Sequence, residues 1–194
     1  MTGSECYLIA GLGNPGREYE RTRHNAGFLA IDRLAESENI PFDKQKFNVC
    51  FGRGRIAHRQ VVVAKPQAYM NRSGPPLQAL SNFFKIPIEA MIIVHDDIDL
   101  AFERLKIKVK GGDGGHKGIR SIIGAFGADQ FTRVRMGVGR PRGNADVVNH
   151  VLDGFTPDEK RALGPFLERT CEAIVTILSQ GTREGMNKFN RMPQ

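Results

Sequence analysis

The chain has 194 residues, 40% of them hydrophobic and 25% charged, which suits one globular domain with a real core rather than a disordered or fibrous protein. Lys and Arg number 28 against 21 Asp and Glu, a net charge of +7. No basic tail carries that excess, so it lies on a folded surface, either a solvated basic face or the footprint of a polyanionic partner. No apolar run approaches a membrane span and no signal-peptide pattern opens the chain. Cys6, Cys50 and Cys171 lie outside any CxxC motif and read as reduced, mostly buried thiols of a cytoplasmic protein.

Cys6 to Gly11 reads as a buried strand. It runs into Gly11-Leu12-Gly13-Asn14-Pro15-Gly16, the glycine spacing of a dinucleotide-binding loop. The next stretch of chain argues against that reading. A dinucleotide loop opens directly into a helix. Here the eight residues after Gly16 offer only Tyr19 for packing, and an apolar helical pattern starts later, at Ala26, Phe28, Leu29, Ile31 and Leu34. The acidic residue expected about 20 positions on, after a second strand, falls on Glu36 and Glu38 inside that helix. The glycines therefore predict a tight turn that carries Asn14, and the loop with His24, above a strand end.

Ala26 to about Asn39 is predicted as an amphipathic helix. Val49 to Ile56 and Gln60 to Lys65 read as a hairpin around Ala57-His58-Arg59, and Pro66 opens a loop. Ser73 is a predicted N-cap, with Pro75 and Pro76 tolerated in the first turn of a helix ending near Phe84. Met91 to Val94 reads as a central strand ending in His95-Asp96-Asp97. Leu105 to Lys110 alternates, with Leu105, Ile107 and Val109 toward a core and Lys106, Lys108 and Lys110 outward. A loop, Gly111-Gly112-Asp113-Gly114-Gly115, precedes a short helix, Ile119 to Phe126. Thr132 to Val138 is a second alternating strand, with Arg133 and Arg135 opposing Val134 and Met136. Arg140 to Asp146 is a polar loop whose conformation the sequence leaves open. Pro157 to about Leu178 is a long helix capped by Thr156.

Strands alternating with helices indicate an α/β layered domain with a twisted central sheet, which binds ligands beyond the carboxyl ends of its strands. Asn14, Asn71, Asp96 and the glycine loop before His116 come to such ends. No GxSxG elbow is present, and the cysteines lack a local activating base. "HDDIDL" crowds His95, Asp96, Asp97 and Asp99, but neighbours on a strand point to opposite faces and no second ligand motif is present, so a metal site is not expected. A histidine base tuned by a carboxylate fits better, with His24 in a polar loop and Asp96 facing it. His58 and His150 read as surface residues, and His116 as a packing or capping group.

"GLGNPGREYERTRHNAGF", "PQAYMNRSG", "VHDDIDL" and "GGDGGHKGIRSI", in this order and spacing, closely resemble bacterial peptidyl-tRNA hydrolases, and the resemblance runs from Leu8 to about Asn190. It implies a monomeric, cofactor-free, metal-independent enzyme: one domain spanning 1–194, a three-layer α/β sandwich around a mostly parallel mixed sheet. It implies cleavage of the ester between peptide and tRNA, recycling tRNA from prematurely released peptidyl-tRNA. Carried over by position, it makes His24 the base that activates water and Asp96 its stabilising partner. Asn14 and Asn71 would position water and substrate, and Tyr19 and Tyr69 would line the site. Lys108 and Arg135 would clamp a tRNA phosphate. Asn side chains offer donors and an acceptor to any peptide backbone, which suits an enzyme blind to peptide sequence. The absence of Trp and the scarcity of aromatics point to recognition of tRNA shape and ends rather than base stacking.

Two departures from the family pattern stand out. Lys117 occupies the position after the glycine-loop histidine where Asn is usual, and Ala101-Phe102 replaces a proline-rich turn. An ammonium donates but cannot accept, so Lys117 is expected to contact the substrate or its phosphate rather than hold water as an amide would. Two other classes compete with the esterase. A non-catalytic RNA-binding protein on the same fold is disfavoured by His24, Asp96, Asn14 and Asn71. A metal-dependent hydrolase would reveal itself by sensitivity to chelators.

Overall fold

The computed structural model describes residues 6–141 and 146–191. Seven strands form one sheet: β1 (Tyr7–Gly11), β2 (Lys44–Lys46), β3 (Val49–Ile56), β4 (Arg59–Pro66), β5 (Met91–Asp97), β6 (Leu105–Lys108) and β7 (Thr132–Gly137). Their order across the sheet is β2-β3-β4-β1-β5-β7-β6. The central four, β4, β1, β5 and β7, are mutually parallel; β3 and β6 alone run the other way. The sheet is thus mixed and mostly parallel, as expected.

Among the described residues, six α-helices flank it: α1 (Ala26–Ser37), α2 (Gly74–Phe84), α3 (Lys117–Phe126), α4 (Val147–Leu152), α5 (Pro157–Gln180) and α6 (Thr182–Phe189). Alternation along the strands sorts the core into two layers. Ile9, Val61, Val63, Ile92, Val94, Val134 and Met136 pack with α1, α5 and α6. Leu8, Ala10, Val62, Ala64, Met91 and Ile93 pack with α2 and α3. This second layer takes no side chain from β6 or β7. Among the described residues, α2 and α3 thus share no apolar core with the β7–β6 pair, and a cleft opens on that side beside the strand ends.

Local chemistry explains most boundaries. Thr156 caps α5 in a full capping box with Glu159. The β3–β4 turn is two residues, Ala57 and His58, both at positive φ, so Arg59 already belongs to β4. Ser73 does occupy the N-cap position of α2, but its hydroxyl donates back to the Met70 carbonyl. The Gly74 N–H finds its acceptor in Ser121 Oγ of α3 instead, at 2.9 Å. Helix–helix contact thus replaces the local cap.

Four elements depart from the sequence reading. β2 is an edge strand of three exposed residues with no alternation to betray it. α4 is only six residues long. The last helix separates from α5 at Gly181, whose φ of 91° no helix continues. β6 ends at Lys108, so Val109 is exposed rather than facing the core. Of the polar loop at 140–146, residues 142–145 lie outside the described residues; Arg140 pairs with Asp99 and Asp146 caps α4.

Glycines at close approaches give a paired test. A Cβ on Gly27 would sit 2.4 Å from the Val94 carbonyl oxygen and 2.6 Å from the Leu12 nitrogen, both backbone. A Cβ on Gly124, exposed within α3, would meet nothing within 4 Å. Gly27→Ala should cost about 3 kcal/mol or more by forcing α1 off the sheet. Gly124→Ala should add roughly 0.5–1 kcal/mol of helix stability. Urea unfolding of both variants checks the opposite signs.

Candidate active site

Asp96 lies at the carboxyl end of β5, 2% exposed, between β1 and β7. Two histidines reach its carboxylate from opposite layers of the fold. His24 comes from a 3-10 turn, Arg23–Asn25, that leads into α1. Its Nδ1 is 3.0 and 2.9 Å from the two Asp96 oxygens. His116 comes from the N-cap of α3, with Nε2 2.9 Å from Asp96 Oδ1.

The helix cap fixes the protonation of His116. Its Nδ1 accepts from the Gly118 and Ile119 N–H groups, at 3.2 and 3.3 Å, and therefore carries no proton. Neutral imidazole then bears its hydrogen on Nε2 and donates it to Asp96. His24 likewise donates from Nδ1, which leaves its Nε2 lone pair as the basic atom on the cavity side. Burial alone would raise the Asp96 carboxyl; the interactions of His24 and His116 with its ionised form outweigh it and hold the group well below the usual carboxylate range.

The turn that carries His24 is anchored from behind. Arg23 is 5% exposed. It pairs with Glu159 at 2.7 Å and donates to the His150 carbonyl at 3.2 Å. Its own N–H reaches the Asp153 carbonyl. His150 is thus not a free surface residue, because its Nε2 also lies 3.0 Å from the Gly139 carbonyl.

Asn14 is 8% exposed and equally constrained. Its Oδ1 accepts from the Met70 N–H at 2.7 Å, and its backbone exchanges two 2.9 Å bonds with the Asn25 side chain. With Oδ1 committed, the Asn14 amino group is what it presents to the cavity.

The cavity holds about 720 Å³, a volume ordinary for a ligand site. His24, Asp96, Asn14, Tyr69, Asn71, Lys117, Lys108 and Arg135 all line it, so eight of the nine residues singled out in the sequence meet here. Tyr19 does not: it sits in the turn after β1, where its carbonyl accepts from the Thr22 hydroxyl and N–H. The opposite wall is apolar, formed by Ile98 and by Val147, Val148, Val151 and Leu152 of α4.

The basic rows are less free than their alternation implies. Arg133 is 3% exposed. It spends its guanidinium on the carbonyls of Gly111, Gly112 and Asp129, holding the glycine loop. Arg135 is held through Nε by Asp97. Lys108 and Lys117 are exposed and have no acidic partner among the described residues. Cysteine chemistry stays outside the site: burial pushes the Cys171 thiol up to about 11, while Cys6 and Cys50 are only half-buried.

Among the described residues, His24, Asp96 and His116 form the one group of such donors that could hold a metal, with ligand atoms within 4.8 Å of one another. The donor chemistry does not fit an ion well. His116 Nε2 bears its hydrogen, and both Asp96 oxygens accept from imidazole.

A deep cleft beyond the carboxyl ends of parallel strands, with a carboxylate-held histidine and amides around it, defines an α/β protein built for hydrolytic chemistry on a polyanionic substrate. The chain belongs to the peptidyl-tRNA hydrolase family, whose model matches residues 8–194. It is 47% identical to the peptidyl-tRNA hydrolase of Clostridium novyi over 95% of this chain and 97% of that one. It is 45% identical to that of Chloroflexus aurantiacus, over 95% and 98%. The crystal structure of peptidyl-tRNA hydrolase from Acinetobacter baumannii superposes with a TM-score of 0.89 at 38% identity, over 96% of this chain and 95% of that one.

His95 yields a pH test of the site's interior. Its Nδ1 donates to the Asp96 carbonyl at 2.7 Å, and burial, followed by the competing imidazole of His116 and with Arg135 adding to it, pushes its pKa well below 6.5 despite Asp96. Below pH 6.5 the unfolded chain therefore binds a proton that the folded chain refuses, and stability falls as pH drops. One such proton gives a slope of at most about 1.4 kcal/mol per pH unit. His95→Leu should flatten the loss of stability between pH 7 and pH 5. Denaturant melts of both proteins at the two pH values read the difference.

Proposed function

We propose that this protein hydrolyses the ester joining a peptide to tRNA, using a water molecule activated by His24. The observation that carries this reading is the Asp96 carboxylate bonded to His24 Nδ1, with His24 Nε2 left on the side of the cavity. In the reaction, His24 Nε2 takes a proton from water as its oxygen attacks the ester carbonyl. Asp96 accepts the Nδ1–H and stabilises the imidazolium that forms. His116 holds the second side of that carboxylate and keeps it from turning. The Asn14 amino group, with the Asn71 amide, supplies donors for the developing oxyanion. Collapse of the tetrahedral intermediate breaks the bond to the ribose oxygen, which takes the proton back from His24. The products are a peptide acid and tRNA with a free hydroxyl.

Tyr69 and Lys117 lie where they can meet the 3′ end and the adjoining residue. Lys108 and the terminal amino groups of Arg135 suit a phosphate, at the end of the cavity away from Asn14. Asn side chains that bind peptide backbone make the site indifferent to peptide sequence. We place the protein in the cytoplasm as a monomer, where peptidyl-tRNA arises; no described helix is long and apolar enough to cross a membrane.

The reading is tested by hydrolysis of N-acetyl-aminoacyl-tRNA, with unblocked aminoacyl-tRNA as the control. His24→Ala should lose roughly 10²–10⁴-fold in kcat while binding deacylated tRNA normally, since a general base contributes about that much. Asp96→Asn should lose less, because the base remains and only its orientation and proton affinity suffer. EDTA should leave the rate unchanged. A His24→Ala enzyme with wild-type turnover, or loss of activity on chelation, would falsify the mechanism.

Lys108→Ala and Arg135→Ala should each weaken binding of deacylated tRNA. Each should also reduce the log–log salt slope by about 0.7–0.9, one phosphate contact's worth. Slopes unchanged in both variants mean that these side chains are merely solvated.

A further inference from the structure

Lys117 is an unusual residue for its place. It is the first residue of α3, and the positive end of a helix dipole disfavours a cation there by about 0.3–1 kcal/mol. Acidic residues are the ones that suit a first helical turn. The ammonium is exposed, lines the cavity and has no ion-pair partner among the described residues. The nearby acids already have other partners. Asp113 is held by Arg120 and the Gly115 N–H, Asp97 by Arg135, and Asp96 by the two histidines. Nothing among the described residues offsets the cost of the charge.

Its position separates it from the other cations of the cavity. Lys117 is joined to His116, whose ring centroid is 5.3 Å from that of His24. Lys108 and Arg135 stand on β6 and β7, two strands and one strand away from β5. At about 4.8 Å per strand, the backbone that carries Lys108 stands roughly 10 Å from the β5 backbone that carries Asp96. Lys117, one residue from His116, is thus rooted nearer the His24–Asp96 pair than Lys108 is.

We infer that Lys117 binds the phosphodiester on the 5′ side of the terminal nucleoside of tRNA, a contact distinct from the one made by Lys108 and Arg135. The inference rests on the proposed hydrolase reading. The phosphate nearest the scissile ester belongs to the same nucleoside, and a lysine stem rooted one residue from His116 spans that interval. The contact exists equally in ground state and transition state, so it sets affinity for the 3′ end and leaves the chemical step alone.

The experiment uses two substrates carrying the same N-acetyl-aminoacyl ester: whole tRNA, and a single-stranded trinucleotide with the terminal tRNA sequence and a 5′-hydroxyl. kcat/KM is measured against salt concentration. Lys117→Asn should lower the salt slope by about 0.7 on the trinucleotide, the single-strand value for one phosphate, and Lys117→Arg should retain it. Lys108→Ala should flatten the slope on whole tRNA and leave the trinucleotide slope untouched. A trinucleotide slope that Lys117→Asn leaves at the wild-type value overturns the assignment, whatever happens to kcat. Failure of the wild-type protein to hydrolyse either substrate is a different result, and overturns the hydrolase reading itself.

Discussion

A carboxylate buried to 2% exposure is tolerated only where donors replace the water it has lost. Asp96 meets that demand with two imidazoles, and much of the site's architecture depends on them. His24 approaches from the layer of α1 and His116 from the layer of α3, so one side chain at the end of β5 fixes the entry of two helices on opposite faces of the sheet. The bond to His116 carries a further constraint, because the same ring caps α3 through its other nitrogen. Rotation of His116 would break the cap and remove one of the carboxylate's two imidazole donors together. Orientation of His24 is thus coupled to folding of the helix, which is how a site on loops acquires the precision of a site on rigid elements.

The glycines that mimic a nucleotide-binding loop serve the same geometry. A Cβ on Gly11 would lie 2.3 Å from the Gly27 carbonyl oxygen, and one on Gly13 would lie 2.7 Å from the Phe28 ring. α1 therefore sits almost on the backbone of β1, and the turn before it delivers His24 to a strand end. Only Gly16, at a φ of 117°, is needed for its backbone conformation. Close helix–strand packing is one of the roles glycine plays in true dinucleotide loops, which is why the spacing looks alike. The ligand differs because the segment after Gly16 forms a turn and a 3-10 helix instead of presenting a helix end to a phosphate.

The α/β class and strands such as Met91 to Val94 were legible because buried parallel strands are near-continuous apolar runs, and helices such as α1 repeat every three to four residues. β2 and α4 were not, being too short for either period to register. The pairing of His24 with Asp96 was open to chemical reasoning, since a base near neutral pH calls for a carboxylate. His116 was the missed member. Its capping role was readable from its place before an apolar helix, but a second bond through the other nitrogen depends on two segments meeting across 20 residues of sequence. Arg133 was misleading for a related reason. Alternation assigns a face, and says nothing of whether that face is water or a loop; here carbonyls of the glycine loop fold over the guanidinium and remove it from the surface.

That engagement limits which cations of the cleft can contact a phosphate directly. Of the cations that line it, Arg133 has its donors taken up by carbonyls of the loop and Arg135 is tied to Asp97, so Lys108 and Lys117 are the head groups freest to meet a phosphate. A few phosphate contacts give modest, salt-sensitive affinity. On the proposed reading that is an advantage, because the deacylated tRNA product retains every phosphate of the substrate. Charge contacts hold substrate and product alike, and strengthening them would slow release without lowering the barrier to chemistry. Discrimination between the two must come from the acyl group, which only the substrate carries. The groups placed to meet it, Asn14 fixed by Met70 and Asn25, and the imidazole fixed by Asp96, are among the most firmly held in the cleft. The cleft is thus most firmly held where substrate differs from product, and relies on exposed, salt-screened lysines where they are the same.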